Sequence, residues 1–123
     1  MVALALLLAT PARAQDPALR ADAAKALKAA ASFFREKAAV RGGYVYYATP
    51  DLAQRWGEGK ASPTTVFVQP PGTPAVGEAF LAAHAATGDR YYLDAATAAA
   101  ECLAAGQLES GGWTQTIEFG PAK

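Results

Sequence analysis

At 123 residues, with eleven basic side chains against eleven acidic ones, the chain has room for one small domain and carries no net charge. That balance excludes recognition of nucleic acid or of an anionic membrane surface by a long-range field. A single cysteine, Cys102, excludes an internal disulfide.

The chain begins MVALALLLATPARAQ, an apolar run over residues 2–9 followed by Pro11 and by small residues at Ala12 and Ala14. Ala12-Arg13-Ala14 fits the small-x-small cleavage rule, so residues 1–14 read as a signal peptide and Gln15 as the mature start. A positively charged leader region is missing, and the bland alternative is a frayed apolar N-terminus. The run is too short to span a bilayer. Cleavage would remove Arg13 and leave ten basic against eleven acidic residues, a net charge of −1. The expected location is secreted or periplasmic, where disulfides can form. Cys102 nevertheless sits alone in an Ala-rich helix and reads as a small buried hydrophobe, so stability must come from packing.

Asp16-Pro17 predicts a helix start, with Asp16 as cap and Pro17 in the first turn. Leu19, Ala23, Leu27, Ala30 and Phe34 follow at helical spacing and predict one buried stripe, with Asp22 and Glu36 as solvated charges. Gly42-Gly43 is the expected stop. Residues 44–47, Tyr-Val-Tyr-Tyr, predict a strand, and residues 64–68 a second strand antiparallel to it. The segment between them, residues 48–63, reads as loop.

Pro70-Pro71-Gly72 is rigid, and Thr73-Pro74 predicts a helix with Thr73 as cap and Pro74 at the first position. That helix stops at Gly88; Asp89 caps a following helix that starts near Tyr91, runs to Gly106 and turns Leu93, Ala96, Ala100 and Leu103 inward. The many alanines predict a tight antiparallel hairpin with a short link. Residues 113–119 then predict a strand with Trp113, Ile117 and Phe119 on one face.

A weak repeat runs through the chain. Helix, Gly42-Gly43-Tyr44 and strand match helix, Gly111-Gly112-Trp113 and strand. A repeat containing a helical hairpin predicts a mainly α protein, a partial α/α toroid of hairpin repeats with short β-strands between helices. About three helices cannot close such a ring, so residues 15–123 are expected to be the N-terminal portion of a longer toroid domain.

Few residues carry a chemical signal. His84 is the only histidine and has no partner at metal-ligand spacing, so it reads as a satisfied helix residue and no metal site is expected. There is no nucleophile elbow, phosphate-cradling loop or His-x-x-x-His pair. Asp51, Arg55, Glu58 and Lys60 gather around Trp56, a pattern suited to stacking a sugar on the indole and binding its polar groups with the charges. The structural alternative is a loop tied by an Arg55–Glu58 pair over a buried Trp56. Gln69 to Thr73 precede a helix N-terminus, where free N–H groups suit a carboxylate; alternatively they form only a stiff lead-in. Glu78, one turn in, is a candidate to face a central cavity. Gln107 and Trp113 are expected to lock a helix end against a strand. The substrate-binding candidates are therefore Arg55, Trp56, Glu58, Gln69 and Thr73, and no catalytic residue is identifiable.

Arg55-Trp-Gly-Glu-Gly59, Val68-Gln-Pro-Pro-Gly-Thr-Pro74, Ala86-Thr-Gly-Asp89, Tyr92-Leu-Asp94 and Gly106-Gln107…Gly111-Gly-Trp113 together resemble the secreted pectic-acid (pectate) lyase family built on an α-helical toroid. The likeness covers roughly residues 30–119. The Gln-x-x-x-Gly-x-Trp pattern also resembles a repeat of triterpene cyclases, but the aspartate-rich motif of those enzymes is missing. The pectate lyase resemblance implies β-elimination on uronic-acid polysaccharide in the full-length form, with an arginine base and calcium held by aspartates. It also implies that those segments lie beyond this chain, in which no calcium ligand is identifiable, so the chain alone is expected to be inactive. Arg55 is a candidate binder rather than the base. The other readings are a non-catalytic carbohydrate-binding or scaffolding toroid, and an unstable gene fragment.

Overall fold

The computed structural model describes residues 16–120. In chain order they form α1 (Pro17–Phe33), continued by a π-helical turn over Phe34–Ala38, then β1 (Tyr47–Ala48), β2 (Arg55–Trp56), β3 (Thr65–Phe67), α2 (Thr73–Thr87), α3 (Arg90–Ala105) and β4 (Thr116–Glu118). β1 pairs antiparallel with β2, and β3 antiparallel with β4.

Helix punctuation follows local chemistry. Asp16 caps α1 through a bond from the Ala18 N–H (2.9 Å), and Pro17 occupies the first turn. Gly88 closes α2 in the left-handed conformation (φ 72°). Asp89 then caps α3 through the Tyr91 N–H (2.8 Å). The two-residue link Gly88-Asp89 lays α2 and α3 side by side, with Gly77 of α2 against Ala99 of α3.

The toroid expectation is overturned. The described residues form a small mixed α/β domain, with three helices and two short two-stranded antiparallel sheets. A helical toroid needs each helix stripe to be covered by a neighbouring repeat. Here the predicted stripe of α1 is largely open, with Leu19 67% exposed and Leu27, Phe33 and Phe34 also exposed. Only Ala31 of α1 is buried.

The docking of α1 is carried by its C-terminal half, mostly through Tyr91 at the start of α3. Lys28 Nζ lies 3.8 Å from the Tyr91 ring centre and bonds Asp89 (2.6 Å), holding that carboxyl below its usual range. Arg35 stacks on the same ring and donates to the Tyr91 carbonyl, while the Tyr91 hydroxyl donates to Glu36 (3.1 Å) and lies 3.3 Å from the Ser32 hydroxyl.

The two Gly-Gly segments share a left-handed turn but not an environment. Arg41 (φ 49°) and Gly42 (φ 81°) form a tight turn between Val40 and Gly43, which exchange two backbone bonds of 2.9 Å. The helix therefore ends before Gly42-Gly43, which turn the chain back under α3. A Cβ on Gly42 would overlap the Ala98 carbonyl, and one on Gly43 would sit 2.5 Å from Cys102 Sγ. Gly111 (φ 85°) opens onto free space, and Trp113 is exposed where Tyr44 is buried. The repeat is thus one of turn chemistry only.

Strand pairing also departs from expectation. β3 forms its ladder with β4, through Val66 opposite Ile117, and gives residues 44–47 one backbone bond, from the Phe67 N–H to the Tyr44 carbonyl. The first strand is shorter and later than the Tyr-rich run, and its partner β2 lies inside the segment read as loop. Along α3 the buried positions are Tyr92, Ala95, Ala96, Ala99 and Cys102, so of the four expected inward residues only Ala96 is buried. One core cluster joins Ala31, Tyr44, Phe80, Ala83 and Tyr92; a second joins Val66, Cys102 and Ile117. Cys102 is a free, buried thiol whose pKa burial pushes up to about 11.

Gly42→Ala is expected to cost ~3 kcal/mol, from a left-handed φ plus overlap with a backbone carbonyl. Gly111→Ala, with the same φ region and open surroundings, is expected to cost about 1 kcal/mol. Urea unfolding of the two variants checks this; equal losses would refute the close approach of Gly42 to α3.

Candidate functional site

The β1–β2 hairpin sorts the charged and aromatic candidates onto two faces. Register places Tyr47 opposite Trp56 and Ala48 opposite Arg55. Side chains alternate along a strand, so Tyr47 and Trp56 share one face, and Tyr46, Ala48 and Arg55 share the other. Tyr46 lies on the inner face, its ring 4.6 Å from that of the buried Phe67. Tyr47 is 65% exposed, Trp56 half-buried, and Trp56 forms a further bridge with Lys60.

Arg55 is the fixed point of the inner face. Its Nη1 donates to the Pro63 carbonyl (2.7 Å). Its Nη2 is buried and, among the described residues, has no hydrogen-bond partner; the same is true of Tyr46 Oη. Burial pushes the guanidinium below its ordinary pKa, with Glu118 acting in the opposite sense. Arg55 and Tyr46 both line a cavity of about 610 Å³ between the hairpin and the C-terminal turn of α1. Tyr47 and Lys60 line it too, so the aromatic face and the cavity share a rim.

Pro63 is itself held by a carboxylate cradle. Glu118 of β4 accepts from Ser62 Oγ (2.9 and 3.0 Å), from Thr65 Oγ1 (2.5 Å) and from Thr64 Oγ1. The threonine and serine hydroxyls hold the Glu118 carboxyl below its usual range.

The other candidates divide. Glu58 makes no ion pair with Arg55 among the described residues; it accepts from Gln69 Nε2 (2.8 Å) and Gln115 Nε2 (2.5 Å). Glu58 and Gln69 are thus brought together, beside a residue that the sequence did not single out. Asp51 folds on itself, accepting from Thr49 Oγ1 and the Ala53 N–H, which hold its carboxyl low. Thr73 is fully buried, and its hydroxyl accepts from the Tyr44 N–H (3.0 Å), which leaves no surface for a ligand. The cap of α2 is Gly72.

Glu78 is exposed on a groove between α2 and α3 rather than facing a central cavity. His84 Nδ1 is bonded to the Asp89 carbonyl (3.1 Å). Trp113 Nε1 donates to the Leu103 carbonyl (2.7 Å) and Gln107 Nε2 to that of Gly111 (2.7 Å), so both secure the end of α3. Tyr46, Tyr47 and Gln115 are the residues that sequence reasoning missed. The alternation within residues 44–48 was the available signal for the two tyrosines.

Comparison with protein-family models, with curated proteins and with solved structures returns no match to this chain.

Calcium takes six to eight oxygen ligands. Among the described residues no group of three or more His, Cys, Asp or Glu side chains gathers at metal-binding distances. No described helix is long and apolar enough to cross a membrane.

The depressed Glu118 pKa sets a pH dependence. Its contribution to stability is fully present above the ordinary carboxylate value of 4.5 and is lost as pH falls below it through the folded value. Glu118→Gln is expected to flatten that acid-side loss while leaving a smaller stability at neutral pH. Denaturant midpoints of wild type and variant at neutral and acid pH check this; equal acid sensitivity would remove the cradle from the account.

Proposed function

We propose that the chain binds uronic-acid polysaccharide of the pectate type on the outer face of the β1–β2 hairpin. The observation that carries this reading is the direct opposition of Tyr47 and Trp56 across the ladder, with Lys60 bridged to Trp56. Side chains of directly opposed residues start only about 5 Å apart, which puts the two aromatic rings within reach of one pyranose. Lys60 places a cation beside that strip, suited to the carboxylates of a uronide chain. The Glu58 charge is engaged by two amides, which lessens its repulsion of a polyanion.

Binding is the reading that geometry favours. Cleavage of polygalacturonate by β-elimination, within a longer pectate-lyase-like protein, rests on the sequence resemblance alone. No base is assigned to the described residues. An exported protein, secreted or periplasmic with residues 1–14 as its signal peptide, would meet such a polymer outside the cell.

Trp56→Ala is expected to weaken oligogalacturonate affinity about tenfold or somewhat less, the scale of one aromatic contact, without loss of helicity. Calorimetric titration with circular dichroism checks both parts, and absence of any heat of binding by the wild-type chain would end the proposal. The chain alone is expected to release no unsaturated uronide; growth of its ultraviolet absorbance would favour cleavage over binding.

A further inference from the structure

We propose that the cavity behind the hairpin is a second subsite of the uronide site, where the next acidic sugar of a chain laid across Tyr47 and Trp56 meets Lys37. The inference rests on the outer-face reading above and deepens it. The ligand recognised becomes a run of adjacent uronates rather than a single ring. Cavity and outer face meet at a common rim, because Tyr47 and Lys60 border both.

Charge carries the argument. Lys37, Lys60 and Arg55 line the cavity, and no aspartate or glutamate does. Arg55 is engaged by the Pro63 carbonyl and is given no ligand contact here. Lys37 and Lys60 are both exposed, and among the described residues neither forms an ion pair. The neighbouring carboxylates are turned to other partners, Asp51 to Thr49 and the Ala53 N–H, Glu118 to Ser62 and Thr65. A cavity bordered by cations without counter-charge raises the local concentration of an anion. Polygalacturonate carries a carboxylate on every sugar. A chain with one carboxylate near Lys60 must therefore place the next one close by. Glu58, which does not line the cavity, repels it, whereas Lys37 attracts it.

The walls suit a sugar. The volume, about 610 Å³, lies within the range of about 300–1,000 Å³ that small-ligand sites occupy. Phe33 and Phe34 line the cavity, are each 43% exposed, and offer apolar surface to the C–H face of a ring. Gln54 is tied to Thr49 through its backbone, and its exposed carboxamide can both donate to and accept from ring hydroxyls. Lys37 belongs to the π-helical turn that ends α1, and Lys60 follows the hairpin, so two separate elements supply the two cations.

The experiment is calorimetric titration of the purified chain with galacturonate, trigalacturonate and the neutral trisaccharide maltotriose. Trigalacturonate is expected to bind at least about tenfold more tightly than either of the others. Lys37→Gln should weaken trigalacturonate about threefold, the scale of a partly exposed ion pair, and Lys37→Glu about tenfold. Both should flatten its dependence on salt. Lys37 has no ion pair to lose, so both variants are expected to unfold at the wild-type temperature. Lys25→Glu, at an exposed position of α1 outside the cavity lining, changes the net charge as Lys37→Glu does and should leave affinity unchanged. Trp56→Ala reports on the outer face alone. Weakening by Trp56→Ala, with Lys37→Glu no different from Lys25→Glu, would overturn the subsite and leave the outer-face reading standing. No binding of either galacturonide by the wild-type chain would end both. Equal affinity for galacturonate and trigalacturonate, or for trigalacturonate and maltotriose, would also overturn the subsite.

Discussion

The fold hangs on Tyr44. Its N–H donates to the Thr73 hydroxyl at the start of α2, and its carbonyl accepts from the Phe67 N–H of β3 (2.9 Å). Its ring, 3% exposed, lies between Phe34 at the end of α1 and Phe80 of α2. One residue thus joins both helices and the second sheet, by two buried backbone bonds and two aromatic contacts. Burial pushes its phenol up to about 12, so it stays neutral throughout the working range. The tight Arg41-Gly42 turn exists to deliver Tyr44 to this point, which is why Gly42 and Gly43 lie so close to α3. Everything after Tyr44 in the hairpin, including Tyr46 and Arg55, is positioned relative to that anchor.

Those elements fixed by neighbours in sequence were legible in it. Asp16, Gly88 and Asp89 each act on a backbone group within a few residues, so their chemistry can be recognised without knowing the fold. The stripe of Leu19, Ala23 and Leu27 was equally visible as a helical period, but a period does not say what covers it. In this fold little does, and the Gly-Gly repeat that led to the toroid is one of turn chemistry alone. Strand pairing was legible least. β3 found β4 some fifty residues away, and the choice rests on Val66 and Ile117 meeting over Cys102, which no local pattern encodes. Thr73 shows the same limit at one residue: a threonine before proline reads as a cap, whereas a tertiary contact with Tyr44 claimed its hydroxyl.

The candidate site was half legible for a related reason. Composition around Trp56 pointed to Arg55 and Glu58, the lead-in to a helix N-terminus pointed to Gln69, and the structure does join Glu58 to Gln69. Reading the segment as loop, however, hid the alternation that a strand imposes. Arg55 and Trp56 are adjacent in sequence and therefore opposed in space, so they serve two surfaces rather than one. The partners that complete each surface, Tyr47 for Trp56 and Tyr46 for Arg55, lie across the ladder, where only the register could place them.

That division has an energetic side. The Glu118 cradle shows that this chain satisfies a carboxylate thoroughly where stability is served, giving it three hydroxyl donors. On the neighbouring hairpin, by contrast, Arg55 Nη2 and Tyr46 Oη are buried without a hydrogen-bond partner among the described residues. Apolar replacements of similar shape would remove both deficits, and natural chains tolerate such groups mainly where a function needs them. The hairpin is only two residues deep on each strand, and the Tyr46–Phe67 contact and the Arg55–Pro63 bond brace it in addition to its backbone bonds. The bracing therefore falls on the two residues whose polar ends are unmet.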